Sequence, residues 1–205
     1  HPLVARVIVN RIWLHHFGRG IVGTPGDFGR LGTTPSHPEL LDWLADEIMQ
    51  QGWSMKAMHR EIMLSTAYRQ SSVRSDQTKA LDPDNFYYSR KPMMRLEAET
   101  IRDRMLAVAG VLDRTMFGPP LAIKEDDAGM VVVNGEQKRR SIYVQVRRSQ
   151  PVGMLQAFDA PVMEINCDIR TASTVATQSL MLLNGQFILT QAKALAGRVA
   201  KETTP

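Results

Sequence analysis

Apolar residues near the start of the chain recur at helical spacing. Val4, Ile8 and Ile12 stand four apart with Ala5, Val9 and Trp13 beside them, while Arg6 and Asn10 mark a polar edge. That pattern predicts a helix over 3–17, stopped by Gly18. Residues 18–35 hold six glycines and two prolines without an apolar period. They read as a long ordered loop, and loops of that length in compact domains tend to be functional. Ser36-His37-Pro38-Glu39 reads as a capping box opening a second helix, whose buried stripe is Leu40, Leu41, Leu44 and Ile48 and whose end is Gly52. Ser54 then caps a third helix through Met55, Met58 and Ile62 to about Thr66, making a helical hairpin. Residues 70–92 are polar and read as loop with a short helical turn. Met94, Ala98, Ile101, Met105, Val108 and Leu112 step by three or four and mark the strongest helix.

The pattern changes after Pro119-Pro120. Met130–Val133 is apolar and β-branched, and Ser141–Arg148 alternates, with Ile142, Val144 and Val146 on one face. Both read as strand. Asn134-Gly135 is a tight-turn dipeptide, although the pairing could instead enclose a longer loop. Helices return at about 151–158 and 174–183, and a last one carries Ile188, Ala192, Leu195 and Val199. The predicted fold is mainly α, with about six to seven helices and one small β-hairpin or ribbon. The chain, 1–205, reads as one domain: a helical part over about 1–118, a β element over about 128–149 and C-terminal helices over about 150–202.

Composition narrows the classes. With 205 residues, 43% of them hydrophobic, a core forms without staples. The single cysteine excludes an internal disulfide framework and a Cys-rich zinc site. No apolar run approaches the roughly 20 residues that a bilayer-spanning helix needs. No basic-apolar leader is visible, and the chain opens at His1-Pro2, so it reads as a piece of a longer protein whose export signal would lie elsewhere. Lys plus Arg total 25 against 21 Asp plus Glu, a net +4. So small a surplus is the ordinary solvated surface rather than a nucleic-acid footprint. Most of the cations are arginines, suited to clamping carboxylates or sulfate-like anions.

Several motifs dissolve on inspection. Gly18-Arg19-Gly20-Ile21-Val22-Gly23 spells the dinucleotide fingerprint but follows a helix instead of a strand, so the glycines read as C-cap and loop. His15 and His16 point about 100° apart on a helix and are poorly placed to share an ion. With His37, His59 and Cys167 a site for zinc or iron could assemble across the fold, but no pair has H-E-x-x-H spacing, and no metal is expected. There is no G-x-S-x-G elbow, and Cys167 beside Asp168 reads as a small buried apolar residue. Asp82-x-Asp84 lacks the later calcium ligands, and Glu125-Asp126-Asp127 reads as a solvated loop. The hairpin over 37–66 offers Lys56, His59, Arg60 and Arg69 as a sparse basic face, but its apolar positions make it a packed hairpin before a DNA reader. Arg139-Arg140 and Arg147-Arg148 bracket the alternating segment; Arg69, Arg139 and Arg140 are the candidate anion contacts.

Taken together, several stretches resemble one family. They are Ala5–Trp13 running into His15–Gly20, Thr24–Gly29, His37–Leu44, Ser65–Ser71, Arg95–Asp103, Arg139–Tyr143, Phe158–Pro161 and Leu182–Asn184. In order and spacing, over essentially the whole chain, they resemble the planctomycete-type domain of unknown function 1553, also called PSD-one. The resemblance implies the C-terminal module of a large exported bacterial protein, hence a periplasmic or extracellular setting, with c-type haem attached through C-x-x-C-H in upstream domains. This chain has no C-x-x-C-H, so no cofactor is expected in it. The family has no assigned catalytic residues, and none is carried over.

The resulting expectation is a non-catalytic interaction or structural module. Its partners would be upstream domains of the same parent or an anionic glycan, with a link to polysaccharide use, and no nucleic acid. The alternative is an enzyme or redox accessory domain acting on carbohydrate, with a pocket of Trp13, His15, His16, Arg19 and Asp27 where the first helix meets the glycine loop. The third reading is a helix-turn-helix nucleic-acid binder.

Overall fold

The first helix, α1 (Pro2–Phe17), starts on a proline at its first turn and ends where Gly18 takes the left-handed conformation at φ 73°. The structure is a computed structural model that describes residues 1–135, 138–161 and 168–203. Nine helices and one two-stranded antiparallel ribbon appear among the described residues, so the fold is mainly α with a small β element. The chain divides into two compact units, His1–Met94 and Arg95–Pro205.

In the first unit α1 packs on α2 (Pro38–Gln50), and α2 forms a hairpin with α3 (Met55–Leu64); α4 (Thr66–Arg69) and α5 (Asp76–Leu81) are short. The core unites Ala5, Val9, Ile12, Trp13 and Phe17 of α1 with Leu41, Leu44 and Ile48 of α2 and Met58 and Ile62 of α3. Ile21, Val22 and Tyr88 join it from the loops. The buried stripe of α1 is thus rotated from the predicted one: Val4 is exposed, and Asn10, placed on the polar edge by the sequence pattern, is completely buried. The capping box also fails. The N-cap of α2 is His37 and has no side-chain cap, because Ser36 turns the other way and its N–H and hydroxyl both donate to Ile21 O, at 2.9 and 3.2 Å. Ser54 does cap α3, accepting from Ala57 N–H at 3.3 Å.

In the second unit α6 (Ala98–Val108) packs against α7 (Gly153–Ala157) and α9 (Gln186–Thr203), with α8 (Ala176–Asn184) between the last two in sequence. Ala98, Met154 and Phe158 center one small core. Leu121, Ile123, Val144 and Val152 center another beside the ribbon, β1 (Ile123–Glu125) paired to β2 (Val131–Val133). The ribbon sits at 123–133, not across 128–149, and the predicted strand over Ser141–Arg148 is absent. Ser141–Tyr143 is a 3-10 turn, and only Val144 pairs, with Leu121. The alternation misleads because Ser141 is drawn inward by a carboxylate while Ile142 and Val146 face solvent. Asn134-Gly135 does not close the ribbon. Asp126 does, its Oδ1 accepting from Ala128 and Met130 N–H at 3.0 and 2.9 Å, so the acidic cluster is a turn.

Candidate functional site

The glycine loop is fixed by one side chain of α1 and by bonds of its own. Asn10 Nδ2 donates to Val22 O at 3.1 Å and Asn10 Oδ1 accepts from Val22 N–H at 2.8 Å, a two-point grip on one peptide unit. Gly20 must be glycine there, since a Cβ would lie 2.5 Å from Val22 O. Further along, Thr24 Oγ1 donates to Asp27 O and accepts from Thr33 N–H, at 2.7 and 3.0 Å. Asp27 Oδ1 accepts from Gly29 N–H at 2.7 Å, closing a local turn. The loop is therefore ordered, as its composition suggests.

Across the C-terminal end of α1 lies a strap, residues 82–91. Its turn is made by Asp82, whose oxygens accept from Phe86 and Tyr87 N–H at 2.6 and 3.1 Å. Burial pushes the Asp82 carboxyl up, but those two N–H groups, with the Ser89 hydroxyl and the Arg90 charge, outweigh it and hold the carboxyl below its usual range. The strap delivers Tyr88 against Trp13 and Phe17, with ring centroids at 5.2 and 5.3 Å, and Trp13 itself stacks on Phe17 at 4.1 Å. Tyr88 Oη donates to Arg19 O at 3.3 Å, and burial raises the phenol pKa. Lys91 lies over the rings of Tyr68 and Phe17 at 3.7 and 4.6 Å and donates to His16 O, a cation on the negative end of α1.

The five predicted pocket residues do not meet in one cavity. Trp13 is core, and Arg19 stacks its guanidinium on Phe86 at 4.6 Å. Asp27 is spent on its turn, and His15 faces solvent. His16 turns toward α3 instead, its Nε2 lying 2.8 Å from His59 Nδ1 with Tyr68 edge-on at 5.3 Å. Burial, then the charges of His59, Lys91 and His15, lower the His16 pKa to about 4 and keep the ring neutral at pH 7. His37 is elsewhere, bonded to Ser36 Oγ at 2.9 Å. Cys167 lies outside the described residues; among those described, no three His, Cys, Asp or Glu are grouped to hold a metal. The cavity nearest the loop, about 250 Å³, is lined by Val22, Phe28, Pro38 and Leu41 beside the Arg6–Asp42 ion pair (2.7 Å), with none of the five among its walls.

Of the three candidate anion contacts, Arg69 is exposed and makes no ion pair or hydrogen bond through its guanidinium among the described residues. Arg139 is an internal clamp, donating to Phe117 O and, at 3.1 Å, to Pro119 O. Arg140 lies 3.8 Å from Asp103 of α6. Residues 95–103, leading into and along α6, carry a polar network of the second unit. Arg102, only 2% exposed, donates to Arg139 O at 3.0 Å and Ser141 Oγ at 3.3 Å. Asp103 Oδ1 accepts from both Ser141 N–H and Oγ–H at 2.7 Å. Arg95 pairs with Asp159 at 3.3 Å, and Arg170 bridges Glu97 and Glu99 at 3.3 and 2.8 Å. The inward grip of Asn10, the pairing of His59 with His16, Lys91 and the aromatic strap escaped the sequence reading. The signal for the strap was present in Phe86-Tyr87-Tyr88, an aromatic run inside a polar stretch.

Fold and network together define a mainly α domain whose signature polar residues grip its own backbone. The family model for proteins of unknown function, DUF1553 (PSD1), matches residues 1–204, and the chain belongs to that family. No curated protein and no solved structure matches it.

Proposed function

We propose that this domain is a non-catalytic interaction module and that α6 and α9 form its docking face. The observation that carries the reading is an open groove of about 370 Å³ in the second unit, walled by Leu96, Ile101, Met105, Val108, Ile188 and Leu195. Apolar concavity left open to water is free energy that a partner recovers by covering it. Arg104 is the one charged residue of the wall, and its guanidinium makes no ion pair or hydrogen bond among the described residues. It supplies a positive charge for a partner carboxylate. In this reading the partner is an upstream segment of the same parent protein, an exported multidomain protein whose haem is carried there. Residence outside the cytoplasm, the haem-bearing neighbour and a link to polysaccharide use rest on the family resemblance alone. Among the described residues no helix is long and apolar enough to cross a membrane.

The test is titration of the chain with the upstream haem-bearing segment of its parent, followed by calorimetry. Ala192→Arg fills the groove from an exposed helix position, and Arg104→Glu reverses its charge. Each is expected to weaken binding about tenfold or more while leaving the melting temperature in place. Binding by both variants at wild-type strength overturns the groove, and turnover on a panel of glycans overturns the non-catalytic reading.

A further inference from the structure

The loop between α6 and β1 is built around an aromatic residue in the left-handed region. Phe117 stands at φ 66° and Gly118 at φ 87°. For a bulky side chain that conformation persists only where its surroundings enforce it. Three bonds do so. Phe117 N–H donates to Tyr143 Oη at 2.9 Å, and the Arg139 guanidinium donates to Phe117 O and, at 3.1 Å, to Pro119 O. The same guanidinium lies on the Tyr143 ring at 3.9 Å, and Pro119-Pro120 stiffen the exit. What this rigid frame holds out into water is apolar: Phe117 is 78% exposed and Met116 65%. A slack loop would fold both inward; this one presents them.

The two segments that carry the tip are basic, and the carboxylates beside them, Asp103 near Arg140 and Glu125 near Gln150, belong to α6 and β1. Residues 114–121 and 138–150, joined by the Leu121–Val144 bridge and the Tyr143–Phe117 bond, contain six Lys and Arg and no Asp or Glu. Arg114, Arg140, Arg147 and Arg148 are exposed, and Arg114 and Arg148 make no ion pair or hydrogen bond through their guanidinium groups among the described residues. Asp113, next upstream, is engaged by Thr115 N–H and Oγ1–H at 2.8 and 2.6 Å.

We propose that the Met116–Phe117 loop is an interfacial anchor that seats the protein on an anionic lipid surface. The two apolar side chains enter the boundary between headgroups and acyl chains, and the surrounding arginines face the lipid phosphates. An exposed apolar tip carried on basic segments suits a bilayer interface, which needs no matching cavity, whereas a protein partner would need an acid-rimmed pocket shaped to the tip. This surface is separate from the α6–α9 groove and does not depend on it.

Co-sedimentation with vesicles decides the matter. The full chain is expected to bind vesicles of mixed phosphatidylcholine and phosphatidylglycerol, to release them as salt is raised, and to leave pure phosphatidylcholine largely unbound. Phe117→Gly combined with Met116→Ser removes the tip while easing the left-handed backbone, so the fold survives; binding should drop about tenfold. Arg114→Glu with Arg148→Glu should lose at least as much on the anionic vesicles. Ala192→Arg, in the groove, should bind vesicles like the wild type. No binding to anionic vesicles at low salt overturns the proposal. So does full binding by the folded Phe117→Gly/Met116→Ser variant.

Discussion

Removing the Asn10 side chain tests the brace of the first unit at its most costly point. Asn10 and Val22 are 0% and 2% exposed, and the Asn10 amide is the partner of both Val22 N–H and Val22 O. In Asn10→Ala both groups stay where water cannot reach them without opening the loop. A buried polar group left bare costs about 1–3 kcal/mol, so the pair costs about 2–6 kcal/mol. A unit spanning 1–94 has a total stability of about 5–14 kcal/mol at typical values per residue. At about 4–8 °C per kcal/mol for a domain of this size, the full loss would lower the melting temperature of the first unit by about 8 °C or more. Local opening of the glycine loop competes with this loss and caps it. Amide exchange at Val22, and at Ser36, whose N–H donates to Ile21 O, should therefore accelerate even where the melting shift is small. Asn10→Asp keeps the acceptor and loses the donor. Burial favors its neutral form, so its penalty should grow as pH rises. An Asn10→Ala protein that melts like the wild type and keeps its Val22 amide protected would refute the brace.

Three further outcomes follow from the same geometry. Gly32→Ala would place a Cβ 2.1 Å from Asp27 O, a backbone atom that cannot step aside, and should cost about 1–3 kcal/mol or more by chemical denaturation. Gly197→Ala on α9, with nothing within 4 Å, should be neutral or stabilise by up to about 1 kcal/mol. Asp103→Ala deprives Ser141 of two bonds and buried Arg102 of the carboxylate 3.8 Å away, and should destabilise the second unit by about 3–5 kcal/mol; a loss below about 1 kcal/mol would count against the network. His16, depressed from 6.5 to about 4 in the folded chain, binds fewer protons than the unfolded chain between those values. Its contribution is thus complete above pH 6.5 and is lost as pH falls toward 4. Melting temperature against pH should slope through that window, and His16→Gln should flatten the slope.

The helices were legible because their apolar periods are long and their stops are glycines: Gly18 ends α1 at φ 73°, and Ser54 caps α3 as its position implies. The errors share one physical cause. A pattern assigns a polar side chain to water, yet Asn10 and Ser36 are drawn in because Val22 and Ile21, buried without strand or helix partners, need donors and acceptors. Ser141 is the same case, and there it converts an alternating segment from strand to turn. For the candidate site, sequence located the ordered loop but could not say which way its neighbours point. His16 turns to His59, forty-three residues away in the chain, and no local spacing encodes that.

Both units use one device. A helix ends or begins beside an irregular segment, and a helix-borne polar side chain takes over the hydrogen bonds that the segment cannot make for itself: Asn10 for Val22, Asp103 for Ser141, Arg102 for Arg139 O. Asp159, at φ 63° just beyond α7, does likewise for Ser173 N–H and Oγ–H at 2.7 and 2.8 Å. These positions lie in stretches that carry the sequence resemblance: Ala5–Trp13, Arg95–Asp103, Arg139–Tyr143 and Phe158–Pro161. A donor or acceptor engaged with the chain's own backbone is not offered to a substrate. The side chains at these positions therefore serve the frame. On the two proposals, recognition falls to what the frame leaves in water: the groove with Arg104 at its wall, and the Met116–Phe117 tip that Arg139 itself holds in place.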